Sequence, residues 1–311
     1  MTSDNSQRTA VVLMAYGTPR SKEEILPYYT DIRRGRPPTI EQLQDLTNRY
    51  EAIGGLSPLK QLTEDQRDAL QNELNGISPH QFQVFLGLKH ASPFIEETVA
   101  EVVELGYKKI VGLVLAPHYS SYSIGQYMDR VRAVAEPAGI TVSGIDSWAR
   151  EEAFIDFLAN DMREKLASLP ERTKVLFTAH SLPQRIIDGG DPYPEELRAT
   201  AELVAEKVGL TRWSDWSIAW QSAGRTPEPW IGPDILEVID SFAAQSASDE
   251  PIDGVLVSAC GFVADHLEVL FDLDIEAAKH AESHGIAFAR TACVNANPSV
   301  MAALARSVAA L

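Results

Sequence analysis

Short runs of apolar, largely β-branched residues recur along the whole chain with helix-patterned stretches between them. That alternation is its tightest constraint on folding. The runs are TAVVLMAY (9–16), FQVFLGL (82–88), KIVGLVLAP (109–117), ITVSGID (140–146), TKVLFTAH (173–180), WSIAWQS (216–222), GVLVSACGF (254–262) and GIAFARTA (285–292). Between them lie EEILPYYTDIRRG, TEDQRDALQNEL, SPFIEETVAEVVELG, EEAFIDFLANDMREKLASL, PEELRATAELVAEKVG and PDILEVIDSFAAQ, all suited to helices. Strands that alternate with helices read as parallel α/β architecture. The runs divide four and four about the long helical segment after Trp148. The expected fold is therefore α/β, with two similar Rossmann-like domains, each a four-stranded parallel sheet flanked by helices, and an active-site cleft between them. Residues 1–150 form the first domain and 151–295 the second, with a C-terminal helix over 296–311 packing back on the first.

In open parallel sheets ligands bind beyond the carboxyl ends of the strands. Tyr16, His118, His180 and the acidic segment after GVLVSACGF all fall at such ends. LVLAPHYSSYSIGQY and VLVSACGFVADHLEV also share a layout, each running from apolar strand through a loop into a helix.

Bulk properties exclude several function classes. The chain has 311 residues, room for two full cores at ~150 residues per domain. A net charge of -17 argues against nucleic acid or an anionic membrane as partner, since both select clustered Lys and Arg. No apolar run approaches the ~18 to 20 residues that span a bilayer, and MTSDNSQRTA lacks the apolar core of a signal peptide. A cytoplasmic protein without a membrane anchor is expected. The stretch AAQSASDEPID (243–253) reads as a surface loop. Cys260 and Cys293 are the only cysteines, so one chain cannot build a four-cysteine zinc or iron–sulfur site, and both read as core thiols.

The strongest chemical signal is a row of carboxylates. Glu268, Asp272 and Glu276 fall four residues apart in GFVADHLEVLFDLDIE. Between Arg225 and Lys279 lie 53 residues with twelve Asp or Glu and no Lys or Arg. On a helix, which Val263, Leu267, Val269, Leu270 and Ile275 allow, the three would stack about 5 to 6 Å apart and repel by roughly 0.2 to 0.5 kcal/mol per pair. A divalent cation would relieve that repulsion; a solvated acidic face is the plainer alternative.

His180 closes a strand before SLP, which places an imidazole at the mouth of the cleft. It is a natural proton acceptor near neutral pH, or else a buried histidine with a backbone partner. Imidazole plus carboxylate is a borderline-hard set that holds a divalent ion without trapping it. At the opposite pole, Arg33, Arg34, Arg36 and Arg49 interleave with Tyr28, Tyr29 and Tyr50. Arginine forks suit carboxylates, and aromatics beside them suit a flat ligand bearing acid groups, although solvated arginines at a helix end would read the same way. The loop IGGLSPL (53–59) offers the Ser57 hydroxyl and backbone amides to an anion but matches no P-loop or GxGxxG fingerprint. No GxSxG elbow supports serine hydrolysis.

These segments resemble the ferrochelatases along essentially the whole chain. The resemblance is carried by VLMAYGTP, YYTDIRRGR, RYEAIGGLSPL, GLKHASPFIE, LAPHYSSYS, TAHSLPQRI with GDPYP, WQSAGRTPEPWIGPD and GFVADHLEVLFDLDIE. It is strongest toward the monofunctional, soluble coproporphyrin ferrochelatases of Gram-positive-type bacteria, which insert ferrous iron into coproporphyrin III. The resemblance implies that His180 matches the family's invariant histidine and Glu268 its partner, serving in metal binding and removal of pyrrole protons. Tyr16 matches the tyrosine on the opposite face, able to ligate iron. Arg33, Arg49, Tyr50, Ser57 and Tyr127 match positions that contact porphyrin propionates, and Asp272 and Glu276 match an acidic line that feeds or holds hydrated divalent metal.

The resemblance further implies ferrous iron as substrate and no prosthetic group. With two cysteines no [2Fe-2S] cluster is expected, although some relatives carry one. Transient contact is expected with the porphyrin-supplying oxidase and with the enzyme that accepts coproheme, by a chain acting as a monomer. Cys260 stands where proline is frequent and Phe271 where tyrosine is common. Protoporphyrin IX metallation, cobalt insertion into sirohydrochlorin and non-catalytic porphyrin or metal carriage are the competing functions.

Overall fold

The computed structural model describes residues 5, 7–210, 214–224, 226–245 and 251–311. Arg225, which bounds the acidic stretch, and residues 246–250 of the expected surface loop lie outside the described residues.

All eight expected strands form. β1 (Thr9–Ala15), β2 (Phe82–Leu88), β3 (Lys109–Val114) and β4 (Thr141–Ile145) make a sheet of order β2-β1-β3-β4. β5 (Thr173–His180), β6 (Trp216–Gln221), β7 (Gly254–Ser258) and β8 (Ala287–Arg290) repeat it as β6-β5-β7-β8. Every pairing is parallel, and the central registers correspond, with Thr9 opposite Lys109 in one sheet and Thr173 opposite Gly254 in the other.

Burial on both faces explains why these runs are continuously apolar rather than alternating. All seven residues of β1 are buried. Ala10, Val12 and Met14 face a core shared with helices Ile95–Glu104 and Gln126–Ala135. Val11 and Leu13 face a second core that runs on into the other half through Val175, Phe177 and Leu256. Helix Pro298–Ala309 joins this central core. Its start is fixed by Pro298 and by Asn297 Oδ1, which accepts from the amides of Ser299 and Val300. Met301, Leu304 and Val308 then pack in one cluster with Leu70 and Leu74 of helix Leu59–Ile77. The C-terminal helix thus closes over the first half, and truncating Leu304 to Ala would cost about 2–5 kcal/mol.

Polar contacts also tie the halves together. Gln66 Nε2 donates to the carbonyls of Val263 (3.3 Å) and Asn295 (3.0 Å). Asp191 accepts from the Ser121 amide at 2.7 Å and from the hydroxyls of Ser120 and Ser121. His118, one of the residues noted at a strand end, is buried, 2.9 Å from the Thr200 hydroxyl. Burial pushes its pKa down to about 3, which keeps the ring neutral.

Two departures from the expected elements shape the site. β7 ends at Ser258, short of the expected 262. At Gly261 the chain crosses so close to β5 that an added Cβ would lie 2.4 Å from Ala179 Cβ, and only glycine permits that approach. The helix that would stack Glu268, Asp272 and Glu276 in one row is also broken up. Residues up to 266 are a loop, helix Leu267–Leu270 starts where His266 Nδ1 accepts from the Glu268 amide, and Asp272–Ala277 is a π-helical turn. That turn is closed by a bond from the Glu276 amide to the Phe271 carbonyl at 2.9 Å. A matching π turn, Ser121–Gly125, follows β3, with the Gly125 amide bonded to Ser120. Such widened turns occur frequently at functional sites.

Candidate active site

The carboxyl ends of β1 and β5 supply the two opposed faces of the cleft. His180 is the last residue of β5. Its Nδ1 lies 2.5 Å from the Ser181 carbonyl oxygen. A carbonyl only accepts, so Nδ1 carries the hydrogen and the neutral ring presents an unprotonated Nε2. That nitrogen faces Glu268 Oε1 at 3.8 Å, and both side chains are about one-third exposed, 35% and 37%. An imidazole nitrogen with a carboxylate at this distance is an arrangement suited to proton transfer. Tyr193 anchors the strand end by donating to the His180 carbonyl at 3.2 Å.

Glu268 is held through its backbone. Its amide donates to His266 Nδ1, and its carbonyl accepts from Gln221 Nε2 at 3.0 Å. Burial pushes the His266 pKa down, favouring the neutral ring that accepts this bond. The side chain is left free to turn toward the cleft.

Asp272 and Glu276 join Glu268 along one open pocket of about 280 Å³, walled by Arg49, Gln221 and Ser222 among others. Asp272 is only 7% exposed, which excludes a simple wet acidic face. It accepts from the Ser222 hydroxyl at 2.5 Å and pairs with Arg49 Nη1 at 3.3 Å. Burial, followed by repulsion from Glu268, outweighs both partners and pushes its pKa up to about 7. Ser222 holds its hydroxyl there from a left-handed backbone conformation, φ 58°. A non-glycine residue in that region stores strain of order 1–3 kcal/mol, commonly at functional sites. Glu276 is exposed at the outer end.

The opposite face is built from tyrosines. Tyr16 follows β1 directly and is 42% exposed, its ring 4.5 Å from that of His90. Despite that exposure, partial dehydration and then the Glu268 charge push its hydroxyl pKa well up, so it is neutral and senses the carboxylate across the cleft. Gly17 lets the chain turn away at φ 89°, where a Cβ would meet Ala91 at 2.9 Å, and its carbonyl accepts from Tyr28. Tyr50 is buried, which pushes its pKa up to about 12. Tyr127 is buried as well, with Lys89 Nζ 5.1 Å from its ring centroid.

Of the expected basic cluster, Arg33 and Arg34 are engaged with tyrosines. Arg33 lies over the Tyr29 ring, and Arg34 Nη2 is 3.5 Å from the Tyr122 hydroxyl. Arg49 is engaged differently from expectation. It pairs with Asp45 and Asp272 and stacks 4.8 Å from the Phe271 centroid, so it bridges the two poles. Phe271, a departure from the tyrosine common there, supplies that platform. Ser57 is buried, and its oxygen accepts from the Leu59 amide at the start of helix Leu59–Ile77. Its hydroxyl hydrogen remains to be donated. Cys260 and Cys293 are buried thiols whose pKa values burial raises, to about 12 for Cys260.

Sequence reasoning passed over Lys89, His90, Gln221 and Ser222. Each follows or closes a strand, so the rule that singled out Tyr16 and His180 would have found them. Lys89 is the most informative. Burial, then repulsion from Arg130 and Arg34, pushes its pKa down to about 8. It is therefore a partly desolvated cation beside the tyrosine face, where an anionic ligand would stabilise its charge.

Comparison with known proteins agrees with this geometry. The family model described as ferrochelatase matches residues 8–310. A coproporphyrin III ferrochelatase of Geobacillus sp. (strain WCH70) is 44% identical over 308 residues, covering 97% of each chain. That of Bacillus subtilis (strain 168) is 42% identical with the same coverage, and a ferrochelatase of Herpetosiphon aurantiacus is 42% identical over 94% of this chain and 96% of its own. Among solved structures, SirB from Bacillus subtilis with Fe3+ superposes at TM-score 0.57 with 13% identity, covering 97% of this chain and 94% of its own. CbiX superposes at 0.53 with 14% identity, covering 97% and 98%; at such identities the likeness is one of fold. With the family model spanning nearly every residue and relatives above 40% identity end to end, the chain belongs to the ferrochelatase family.

Proposed function

We propose that the chain is a coproporphyrin III ferrochelatase, inserting ferrous iron into the macrocycle to give coproheme in haem biosynthesis. The observation that carries this reading is the placing of His180, whose Nδ1 meets the Ser181 carbonyl so that Nε2 is turned toward Glu268, opposite the neutral Tyr16. The macrocycle lies between these faces. Its propionates take the basic and tyrosine pole, through Arg33, Arg49, Tyr50, Ser57 and Tyr127, with Lys89 as a further contact. Iron enters from the carboxylate pole by way of Glu276 and Asp272. Metal entry displaces two pyrrole N–H protons, and His180 Nε2 accepts them in turn, with Glu268 stabilising each imidazolium until solvent removes the proton. Tyr16 serves as an axial ligand to the product iron. Propionate contacts far from the nitrogens supply the binding energy that holds the ring in a reactive shape.

The relatives named as coproporphyrin III ferrochelatases support the substrate assignment. The reading includes a cytoplasmic monomer that meets its upstream oxidase and its coproheme-consuming successor transiently. No described helix is long and apolar enough to cross a membrane. The test is turnover of ferrous iron with coproporphyrin III and with protoporphyrin IX side by side, porphyrin in excess over protein, followed by absorbance. Faster metallation of coproporphyrin III over many turnovers is expected. Preference for protoporphyrin IX would overturn the substrate, and conversion stopping at one equivalent would make the chain a carrier.

A further inference from the structure

The four-residue spacing through Glu268, Asp272 and Glu276 continues to His280 and His284. Helix Ala278–Ser283 follows the π-helical turn directly, and His284 closes it. The two imidazoles are neighbours, their centroids 5.0 Å apart, as side chains one helical turn apart are. Both turn toward helix Ile235–Gln245. There Asp240 Oδ1 lies 2.8 Å from His280 Nε2 and 3.0 Å from His284 Nε2. The ligand atoms of all three residues lie within 4.8 Å of one another, the one such group found among the described residues.

We propose that Asp240, His280 and His284 form a second metal site, which takes a borderline divalent transition metal such as Zn2+ or Co2+, with water completing its coordination. Two histidines that only hydrogen-bonded an aspartate could use one carboxylate oxygen each. Here both nitrogens converge on Oδ1. Bonds from zinc to imidazole nitrogen or carboxylate oxygen are about 2.0–2.2 Å, so ligand atoms around one ion sit about 3 Å apart. The two separations from Asp240 Oδ1 already match, and small side-chain rotations would open room for the ion. Two imidazoles and one carboxylate are a recurring donor set for zinc and for ferrous iron, whereas Mg2+ keeps to oxygen ligands and retains its water. The imidazoles hold the Asp240 carboxyl below the usual carboxylate range, so it is ionised at neutral pH. Twelve residues separate His280 from Glu268, about 18 Å along a helical path at 1.5 Å per residue. The site therefore stands apart from the cleft, and its existence does not depend on the porphyrin reading.

The experiment is titration of Co2+ and of Zn2+ into the metal-free, tag-free chain without porphyrin, read by the visible absorption of ligated Co2+ and by calorimetry. His280→Ala/His284→Ala should lose at least tenfold in affinity for this ion, and Asp240→Asn should lose several-fold. His180→Ala should lose at most an ion bound in the cleft and keep the ion at this site. Millimolar Mg2+ should fail to displace Co2+. The three side chains are partly exposed, and circular dichroism checks that the variants stay folded. Binding by the double histidine variant equal to that of the parent chain would overturn the proposal, as would loss of the Co2+ spectrum on His180→Ala alone.

Discussion

Tyr16 and His180 occupy the same place in two copies of one architecture. TAVVLMAY and TKVLFTAH are the first strands of the two halves, both begin at a threonine in the same register, and both deliver their eighth residue into the cleft. A widened helical turn follows the third strand of each half. The scaffold is thus common to the two halves, and chemistry separates them. One half gathers neutral tyrosines around Lys89 and the arginines, while the other gathers an imidazole and three carboxylates. A flat, polyanionic ring and a divalent cation need opposite surroundings, and a two-fold scaffold offers both at one cleft without a new fold.

If that division is right, exchanging function between the equivalent strand ends should fail badly on one side only. His180→Ala removes the proton acceptor, and turnover with ferrous iron should fall by about 10²–10⁴-fold at saturating substrate. Near-normal kcat in that variant would end the assignment of the acidic half to proton removal. Lys89→Met strikes the other half. Losing a charged hydrogen-bonding partner, at about 1.5–3 kcal/mol, should raise KM for coproporphyrin III roughly 10- to 100-fold with kcat little changed. In the parent chain the same KM should climb as pH rises through about 8, since Lys89 is then losing its charge. A KM flat across that range would remove Lys89 from the binding face.

Asp272 gives the next effect in size. With its pKa near 7, the acid must release a proton before it can hold a cation. Metal affinity at the carboxylate pole should therefore strengthen as pH rises toward about 7 and level off above it, with protons released on binding below that pH. Asp272→Asn should abolish this pH dependence and weaken the metal by about tenfold. Calorimetry in buffers of different ionisation enthalpy counts the protons; none released at pH 6 would show that Asp272 takes no part.

How far this could be read from the chain differs between strand and turn. The central strands were legible because a strand buried on both faces needs an unbroken apolar run, whereas the 2-1-3-4 order within each sheet was not read from the chain. His180 and Tyr16 were legible as polar residues at the ends of such runs, and Glu268 through its four-residue spacing from Asp272 and Glu276. The burial of Asp272 was hidden, because i,i+4 spacing implies a regular helix and nothing local announces a turn closed by an i→i+5 bond. The contact of Arg49 with Asp272 was hidden for a related reason. Its partner lies 223 residues away in the other half, and only packing brings the two together. His118 shared the strand-end signal of His180, yet the second half covers it.

The smallest expected effect tests Tyr16, where the comparison is most exposed. If the tyrosine face only receives the ring and ligates iron after insertion, Tyr16→Phe keeps the ring's shape, its packing on His90 and its neutrality, and loses one hydroxyl. Insertion should then slow by no more than about two- to tenfold, the range of one neutral hydrogen bond. The absorption spectrum of bound product should change more than the rate, because its axial oxygen is gone. A fall as deep as that of His180→Ala would mean that Tyr16 acts before the metal is in place. The two faces would then share the proton chemistry rather than divide it. An unchanged product spectrum would instead put Tyr16 out of reach of the iron, leaving the tyrosine pole as a binding surface alone.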